Sequence, residues 1–550
     1  MAEKQRGEEE DGDVEAKRLY TESILSGKPS FYFGCSLPEI DDIMEQRSSR
    51  YVLRQQTPRS LSCISSLENN NMTVIEDPMC KLPEDILCSI ISRLSLREAA
   101  RTSILARRWR HLWKTASSSL DFDAFNMTGN HLGCSQNINI RHDLKGGILE
   151  WVNEILQLHC GNKIESFRVE FPWAACLGLL RRIICSSSDI DSWIQFAVKK
   201  KARNIDINLF NEMYLEDGLL YEFPYWLFDQ VRGGPTIEHL SLTRCAFTLP
   251  PNCSCLNSLV SLSLRGTSME ETSLHSILSN CPWLQWLSIK NAMCSNRFTF
   301  GSKHSALRLK HVSLYNCPGL QTIEFHNATS LLSFEYVGPM LHLILFQNCA
   351  QPIRVSFTTF GGESCALGKL ATYFPQIETL LFGLMEAEVD IIPKPIPIFS
   401  KLTELVLQVH LSSKNLLELT SSLLKAAPCL VKLELDLPRC CKLATEKIQQ
   451  KTTNMLQKKL AFEGYCRHER LKEVKLFDFS GFEHDFDLVI CLLNNAIALT
   501  KIMISRESRF YQGNGEWFIM GMRNGRIGRK QAYEILCKEV PSATRVLLVL

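Results

Sequence analysis

Cysteine and histidine are the residues whose types and spacing first raise the question of chemistry. The chain has 22 Cys and 13 His in 550 residues. Thiolates and imidazoles hold zinc when they come as paired sets at short, repeated spacing. "CSC" places Cys253 and Cys255 one residue apart, "CC" makes Cys440 and Cys441 adjacent, and "CRHE" joins Cys466 to His468. None has a matching partner pair, so no metal site is expected. The sequence also contains no G-x-S-x-G nucleophile elbow, no H-E-x-x-H zinc motif and no phosphate-cradling G-x-x-x-x-G-K-[ST]. "QGNGEWF" and "GMRNGRIG" are Gly-rich, but they lack the strand-loop-helix context that phosphate binding requires. The acidic and histidine residues are scattered without a recognisable pairing. Neither catalysis nor a cofactor is expected of this chain.

Composition narrows the classes further. Lys+Arg 61 against Asp+Glu 59 leaves almost no net charge, which argues against a nucleic-acid surface. A chain of 550 residues exceeds one compact core, so several domains or a repeat array are expected. The opening "MAEKQRGEEEDGDVEAKR" is too charged for a signal peptide, and no run approaches the roughly 20 apolar residues of a membrane helix. These readings point to a soluble cytoplasmic or nuclear protein without membrane contact, its cysteines reduced and mostly buried. Residues 1–79 are polar and aperiodic and read as a disordered leader.

At Leu82 the pattern changes to short amphipathic helices. Pro83 opens the first, Glu84 and Asp85 suit its positive end, and Ile86, Leu87, Ile90, Ile91 and Leu94 share one broad face. Ser95 and Glu98 have capping-box spacing for a second helix. Ser103 can cap a third that carries Leu105, Trp109, Leu112 and Trp113. Three helices this short cannot bury all these groups among themselves. The face either packs on the rest of the chain or serves another protein. Taken in order, "LPEDIL", "IISRL", "REAARTSILARRWRHLW" and "LDFD" resemble an F-box, placed at residues 80–125. The resemblance implies docking on the Skp-type adaptor of a cullin-based ubiquitin ligase. Leu82, Pro83, Ile86, Leu87, Ile90, Ile91 and Leu94 would then be the adaptor-binding residues, with Trp109 supporting them or acting as a core residue.

Residues 126–466 repeat a template, apolar-x-x-apolar-x-apolar. It starts at Ile237, Leu259, Leu284 and Leu309, and again at Leu320, Leu331 and Leu341. The first four starts are 22, 25 and 25 apart, the period of a leucine-rich repeat. "MEETSLHSILSNCP", "SKNLLELTSSLLKAAP" and "HDFDLVICLLNNA" supply return helices. Between 309 and 341 the starts are only 11, 11 and 10 apart. No helix fits there, so the back should be bare strand and turn. Cys245, Cys317 and Cys349 recur three residues after the last apolar position, and the resemblance to leucine-rich repeats implies that they are buried ladder residues and not ligands. The fold class is therefore α/β: a short three-helix F-box followed by a curved leucine-rich-repeat solenoid with a parallel concave sheet.

In such a strand the apolar residues point inward and those between them point to the other face. That face should carry Ser241, Ser263, Ser288, Ser313, Glu324 and Glu335 in one row. A second row should carry Thr243, Arg265, Lys290, Tyr315, His326 and Val337. Such a surface suits a protein target or peptide. Its bland alternative is an ordinary solvated sheet face. Residues 467–505, with "LKEVKL", "FSGF" and "LLNNAIALTKIMI", resemble the FBD segment that ends many plant F-box proteins with leucine-rich repeats. They should form one more strand-helix-strand repeat and cap the array, leaving 506–550 as a tail of loop with a final helix near "KQAYEILCKEV". These resemblances imply a non-catalytic substrate receptor of a Skp-cullin-F-box ligase, with an unknown protein target. Two alternatives are an adaptor-binding scaffold and a ligand-sensing receptor. A buried anion would need a ring of Lys and Arg, and the face offers only Arg265 and Lys290 close together. The densest basic run, "VKKKAR" at 198–203, precedes a strand and is more simply an exposed helix end or loop.

Overall fold

The computed structural model describes residues 82–105, 108–109, 111–123, 149–170, 174–177, 180–183, 186–209, 220–229, 236–302, 306–360, 366–385, 396–409, 413–437, 467–481, 483–522, 534, 536 and 547–549. The leader expected at 1–79, Cys440, Cys441, Cys466 and nearly all of the expected final helix lie outside these residues. The chain divides into two units, Met1–Arg93 and Leu94–Leu550.

In the first unit, Glu84–Ile91 is a helix preceded by Pro83 at φ −57°, with Glu84 and Asp85 in its first turn. Proline fits there because its missing N–H has no partner to lose, and the carboxylates meet the positive helix end.

The second unit opens with the helix Leu96–Arg101, capped by a reciprocal Ser95–Glu98 box as the spacing predicts. The expected third helix is not continuous. It is a 3-10 turn at Thr102–Ile104 and a separate helix at Leu112–Ala116. Trp109, Leu112 and Trp113 are buried, whereas Leu105 is 66% exposed. The capping role given to Ser103 fails because residues 102–104 are already helical.

The rest is built on one sheet with fifteen strands among the described residues. In spatial and chain order they are Ser119–Asp123, Ser166–Glu170, Asn204–Asn208, His239–Thr243, Ser261–Arg265, Trp286–Lys290, His311–Tyr315, Ser333–Pro339, Arg354–Phe360, Thr379–Met385, Glu404–Val409, Lys432–Asp436, Glu473–Phe477, Lys501–Ile504 and Leu547–Val549. Neighbours pair in parallel and in register, so Leu240, Leu262, Leu287, Val312 and Phe334 form one inward row. Leu242, Leu264, Ile289, Leu314 and Tyr336 form the next, and both rows are buried. No strand could bury two such residues alone, but a stacked neighbour does. The return helices fall where the sequence places them, at Glu271–Asn280, Ser413–Ala426 and Glu483–Asn495.

The dense region after 297 resolves differently from its strand count. Arg297–Phe300, Thr322–His326 and Leu343–Gln347 form a separate parallel sheet. The template copies at Leu320 and Leu341 are thus strands of the return side, and the main-sheet strands here still recur at about one repeat period. The back is bare strand and turn, as expected, but because alternate template copies form it and not because the repeats are short. Phe325 stacks between Phe300 at 4.8 Å and Phe346 at 5.0 Å, and meets Phe334 of the main sheet edge-on at 5.7 Å. A large aromatic layer fills the volume that return helices fill elsewhere. Glu324 and His326 consequently leave the expected target face. Ser313 is instead the register partner of Glu335.

Two further expectations change. The 467–505 segment does form strand, helix and strand, but Leu547–Val549 adds to it, so it does not end the sheet. The 507–522 stretch is not loop: Glu507–Gly513 and Glu516–Met522 make an antiparallel hairpin. Cys253 and Cys255 are joined to each other, unlike the reduced state expected of the cysteines, while Cys245 and Cys317 are free and buried as ladder residues and Cys349 is free and half-buried.

Several repeats turn through the left-handed region just after a strand. Arg244 (φ 62°), Gly266 (64°), Asn291 (50°), Asn316 (49°), Asn327 (53°), Asn348 (53°) and Asp478 (59°) all occupy this position. Asn tolerates it better than other L-residues, and Asn316 Nδ2 also donates to Asn291 Oδ1 at 3.0 Å. Replacing Asn316 by Ala should therefore cost about 1–3 kcal/mol, and replacing it by Gly clearly less. Thermal unfolding midpoints of the two variants check this; equal losses would show that the backbone conformation is not the cause.

Candidate functional site

The polar face of the main sheet is where the sequence places a target, and its residues line up as the alternation requires. Ser241, Ser263, Ser288, Ser313 and Glu335 are consecutive register partners, as are Thr243, Arg265, Lys290, Tyr315 and Val337. Half of this face is already occupied. Ser288 and Ser313 are buried at 0% and 1% exposure, Glu335 is 8% exposed, and only 13% of the Lys290 side chain is exposed. The hairpin lies over them.

Its tip is the two-residue turn Asn514–Gly515, with φ values of 56° and 79°. This is the conformation in which an Asn-Gly pair closes a hairpin with the strand twist. Gly513 precedes it at φ 82°, and a Cβ there would come within 3.2 Å of the Tyr315 ring. The Glu335 carboxylate is the seat of the tip. Tyr511 Oη donates to its Oε1 at 2.7 Å, and the Asn514 N–H and Ser313 Oγ donate to its Oε2 at 2.6 and 3.0 Å. Asn514 Nδ2 donates to Ser288 Oγ at 3.0 Å, and Lys290 Nζ lies 3.4 Å from Glu516. Burial, followed by the Glu335 charge, holds the Tyr511 hydroxyl well above its usual pKa, so it stays a donor.

The other end is held by Arg509, whose side chain is 10% exposed. Its guanidinium lies between the Phe477 ring at 3.4 Å and the Trp517 ring at 3.9 Å. It pairs with Glu434 at 3.0 Å and Asp436 at 2.9 Å. Burial raises the Asp436 carboxyl, with Arg509 and Gln408 opposing. Burial acts the same way on Glu434, but Lys475 and Arg509 outweigh it and hold that carboxyl low. Lys290, Lys475 and Arg509 are thus matched to carboxylates.

Composition concealed Arg509, Tyr511 and Asn514 as site residues. The signal was present, because "FYQGNGEWF" sets an Asn-Gly pair between apolar residues, the strongest short-range hairpin pattern. Nothing local says where such a hairpin lands.

Glu324 binds Arg297 at 2.6 Å and His326 at 3.4 Å on the back sheet. His468 is a structural residue: its Nδ1 accepts from the Leu471 N–H at 3.0 Å, which leaves Nε2 to donate to the Ala427 carbonyl at 3.0 Å. No group able to hold a metal ion occurs among the described residues. None of the described helices is long and apolar enough to cross a membrane.

In the Glu84–Ile91 helix and its flanks, Leu87 and Ile91 are fully buried, whereas Ile86 is 48% exposed and Pro83 is exposed. Leu82, Ile90 and Leu94 are half-buried. Trp109 is 4% exposed, which favours its core reading.

Residues 155–516 match the family described as "At1g61320/AtMIF1, LRR domain", and residues 79–119 match the F-box domain. The chain belongs to the F-box/leucine-rich-repeat family. It is 28% identical over 278 residues to "F-box/LRR-repeat protein At3g03360" of Arabidopsis thaliana, covering 50% of this chain and 48% of that one. It is 26% identical over 213 residues to "F-box/FBD/LRR-repeat protein At1g13570" of the same plant, covering 39% and 44%. Similarity to "F-box/LRR-repeat protein At1g55660", also of Arabidopsis thaliana, is 28% over 222 residues, covering 40% and 53%. The chain spans about half the length of these curated relatives.

Two outcomes follow from the leucine-rich-repeat geometry. Arg509→Ala leaves Glu434 and Asp436 side by side without their shared cation, and should weaken hairpin docking by about 3 kcal/mol. Hydrogen exchange at the hairpin amides should quicken accordingly, and unchanged exchange would contradict the anchor. His311 is buried, stacks on Trp286 at 3.6 Å and lies beside Glu335 and Asn514; burial lowers its pKa against the smaller upward pull of those two. A base with a lowered folded pKa stays neutral in the fold while the unfolded chain takes up the proton. Stability should therefore fall as pH drops below His311's ordinary value of 6.5. The pH slope of the melting midpoint should be shallower in His311→Gln, and identical slopes would refute the assignment.

Proposed function

We propose that this chain is the substrate-recognition subunit of a Skp-cullin-F-box ubiquitin ligase. The carrying observation is the order of its parts: an F-box match at 79–119 ahead of a leucine-rich-repeat match at 155–516. The helix Glu84–Ile91 supports the docking role, since Ile86 stands nearly half exposed beside an exposed Pro83. An isolated apolar pair on a short helix is the kind of anchor an adaptor groove takes. Leu82, Pro83, Ile86, Ile90 and Leu94 are the proposed adaptor contacts. Leu87, Ile91 and Trp109 act from the interior. The cullin is reached through the adaptor.

The repeats hold the protein target on the polar face, where Ser241, Thr243, Ser263 and Arg265 lie on strands before those the hairpin contacts. The chain does no chemistry itself. Its contribution is proximity, which raises the effective concentration of target lysines near the charged ubiquitin carrier. Residues 467–505 are an FBD segment on this reading, supported by their strand-helix-strand form and by the printed name of one relative. Cytoplasm or nucleus is the proposed compartment.

The test is co-purification with a Skp-type adaptor. The native chain should form a stoichiometric complex, and a Pro83→Ala, Ile86→Glu variant should lose about 2 kcal/mol or more of affinity. Equal binding by both would remove the docking assignment. Deleting the chain in cells should lengthen the half-life of whatever its repeats capture; an unchanged half-life would mark a scaffold instead.

A further inference from the structure

The hairpin has the properties of a bound segment more than those of another repeat. It forms its own two-stranded sheet and pairs with no strand of the main sheet among the described residues. Its hold on the polar face runs mainly through side chains and its turn: Tyr511, Asn514 and Ser313 on Glu335, Asn514 on Ser288, Glu516 beside Lys290, and Arg509 on Glu434, Asp436 and Phe477. At its base the Asp478 N–H donates to the Glu507 carbonyl at 3.0 Å and Ser508 Oγ donates to Asp478 at 3.2 Å. The seat is mainly polar and charged, with the Phe477 and Tyr315 rings as its apolar part, unlike the apolar inward rows. Water can satisfy its polar groups when it is uncovered, so release of the hairpin costs less than opening a core. The hairpin also turns Phe518 and Ile519 outward, at 52% and 57% exposure.

We propose that the Glu507–Met522 hairpin is a resident ligand of the polar face. The target of that face is an extended protein segment bearing an arginine beside an aromatic residue, and it takes the same seat by displacing the hairpin. The chemistry of the seat specifies that segment. Glu434 and Asp436 under the Phe477 ring select a guanidinium, which can pair and stack at once. Glu335 selects donors, and Ser288 and Ser313 are small enough for a tight turn to approach. A lysine-bearing segment would pair but not stack, and an acidic one would face three carboxylates. The inference rests on the polar face being the target site, and it is independent of what the adaptor end does.

The experiment uses the full chain and, as probe, a ring-closed synthetic peptide of residues 507–522. Self-occupation reduces apparent affinity by the fraction of chains whose seat is open, so weakening the resident hairpin should tighten probe binding by about tenfold or more. The comparison is between the native chain and an Arg509→Ala, Tyr511→Phe chain. A Tyr511→Phe chain, which keeps the ring and loses only one hydroxyl, should show a smaller gain of the same sign. A probe with Arg509→Ala should bind none of them. Equal binding of the native probe by all three chains, including none at all, would overturn the proposal and make the hairpin a fixed wall. Adaptor co-purification on the same preparations separates the readings. Adaptor retained with no gain in probe binding sinks the resident-ligand proposal alone, and probe gain without adaptor binding sinks the ligase reading alone.

Discussion

A parallel strand with two inward apolar residues cannot bury them by itself, and the whole second unit depends on meeting that constraint. Pairs such as Leu262 and Leu264 lie at 0% exposure because Leu240, Leu242, Leu287 and Ile289 flank them in register. Parallel pairing at fixed register forces the chain to return to the same end after every strand. In several repeats a left-handed residue behind the strand starts this return, and there Asn, Asp or Gly usually fills it. What fills the return side differs between repeats of similar length. Between Ser261–Arg265 and Trp286–Lys290 the helix Glu271–Asn280 covers the inward rows. In the repeats that follow, Phe300, Phe325 and Phe346 do so from a second sheet.

The same alternation that buries one set of side chains presents the other set as two straight polar rows. Such rows carry no backbone donors or acceptors to offer, since the parallel ladder consumes them. Anything that binds there must do so through side chains or a protruding turn. The hairpin does this at both ends, with a charge-paired and stacked arginine at its base and a glycine-flanked turn on a carboxylate at its tip. Burying Glu335 is tolerable because three donors converge on it, and burying Arg509 because two carboxylates and two rings do.

The F-box helix solves a different problem. Eight residues cannot form a core, so Leu87 and Ile91 are sequestered while Ile86 remains 48% exposed. An apolar residue left outside on so small an element agrees with a surface completed by another protein.

Much of this was legible in the sequence, because it depends on periods that each short segment carries within itself. The Ser95–Glu98 cap, the return helices near Glu271, Ser413 and Glu483, and the polar rows from Ser241 to Tyr315 all follow from spacing along the chain. Three features were decided by tertiary structure. The copies at Leu320 and Leu341 have the strand template, but which sheet a strand joins depends on where the chain stands in its turn, so Glu324 and His326 went to the back. The sequence from Ser103 to Trp113 suggests one helix, yet the described residues form two short pieces, Thr102–Ile104 and Leu112–Ala116, with Trp109, Leu112 and Trp113 buried. The hairpin is readable from Asn514-Gly515, but its landing place is not. Glu335 and Tyr511 are 176 residues apart in sequence, and only stacking of the intervening repeats brings a carboxylate under that hydroxyl.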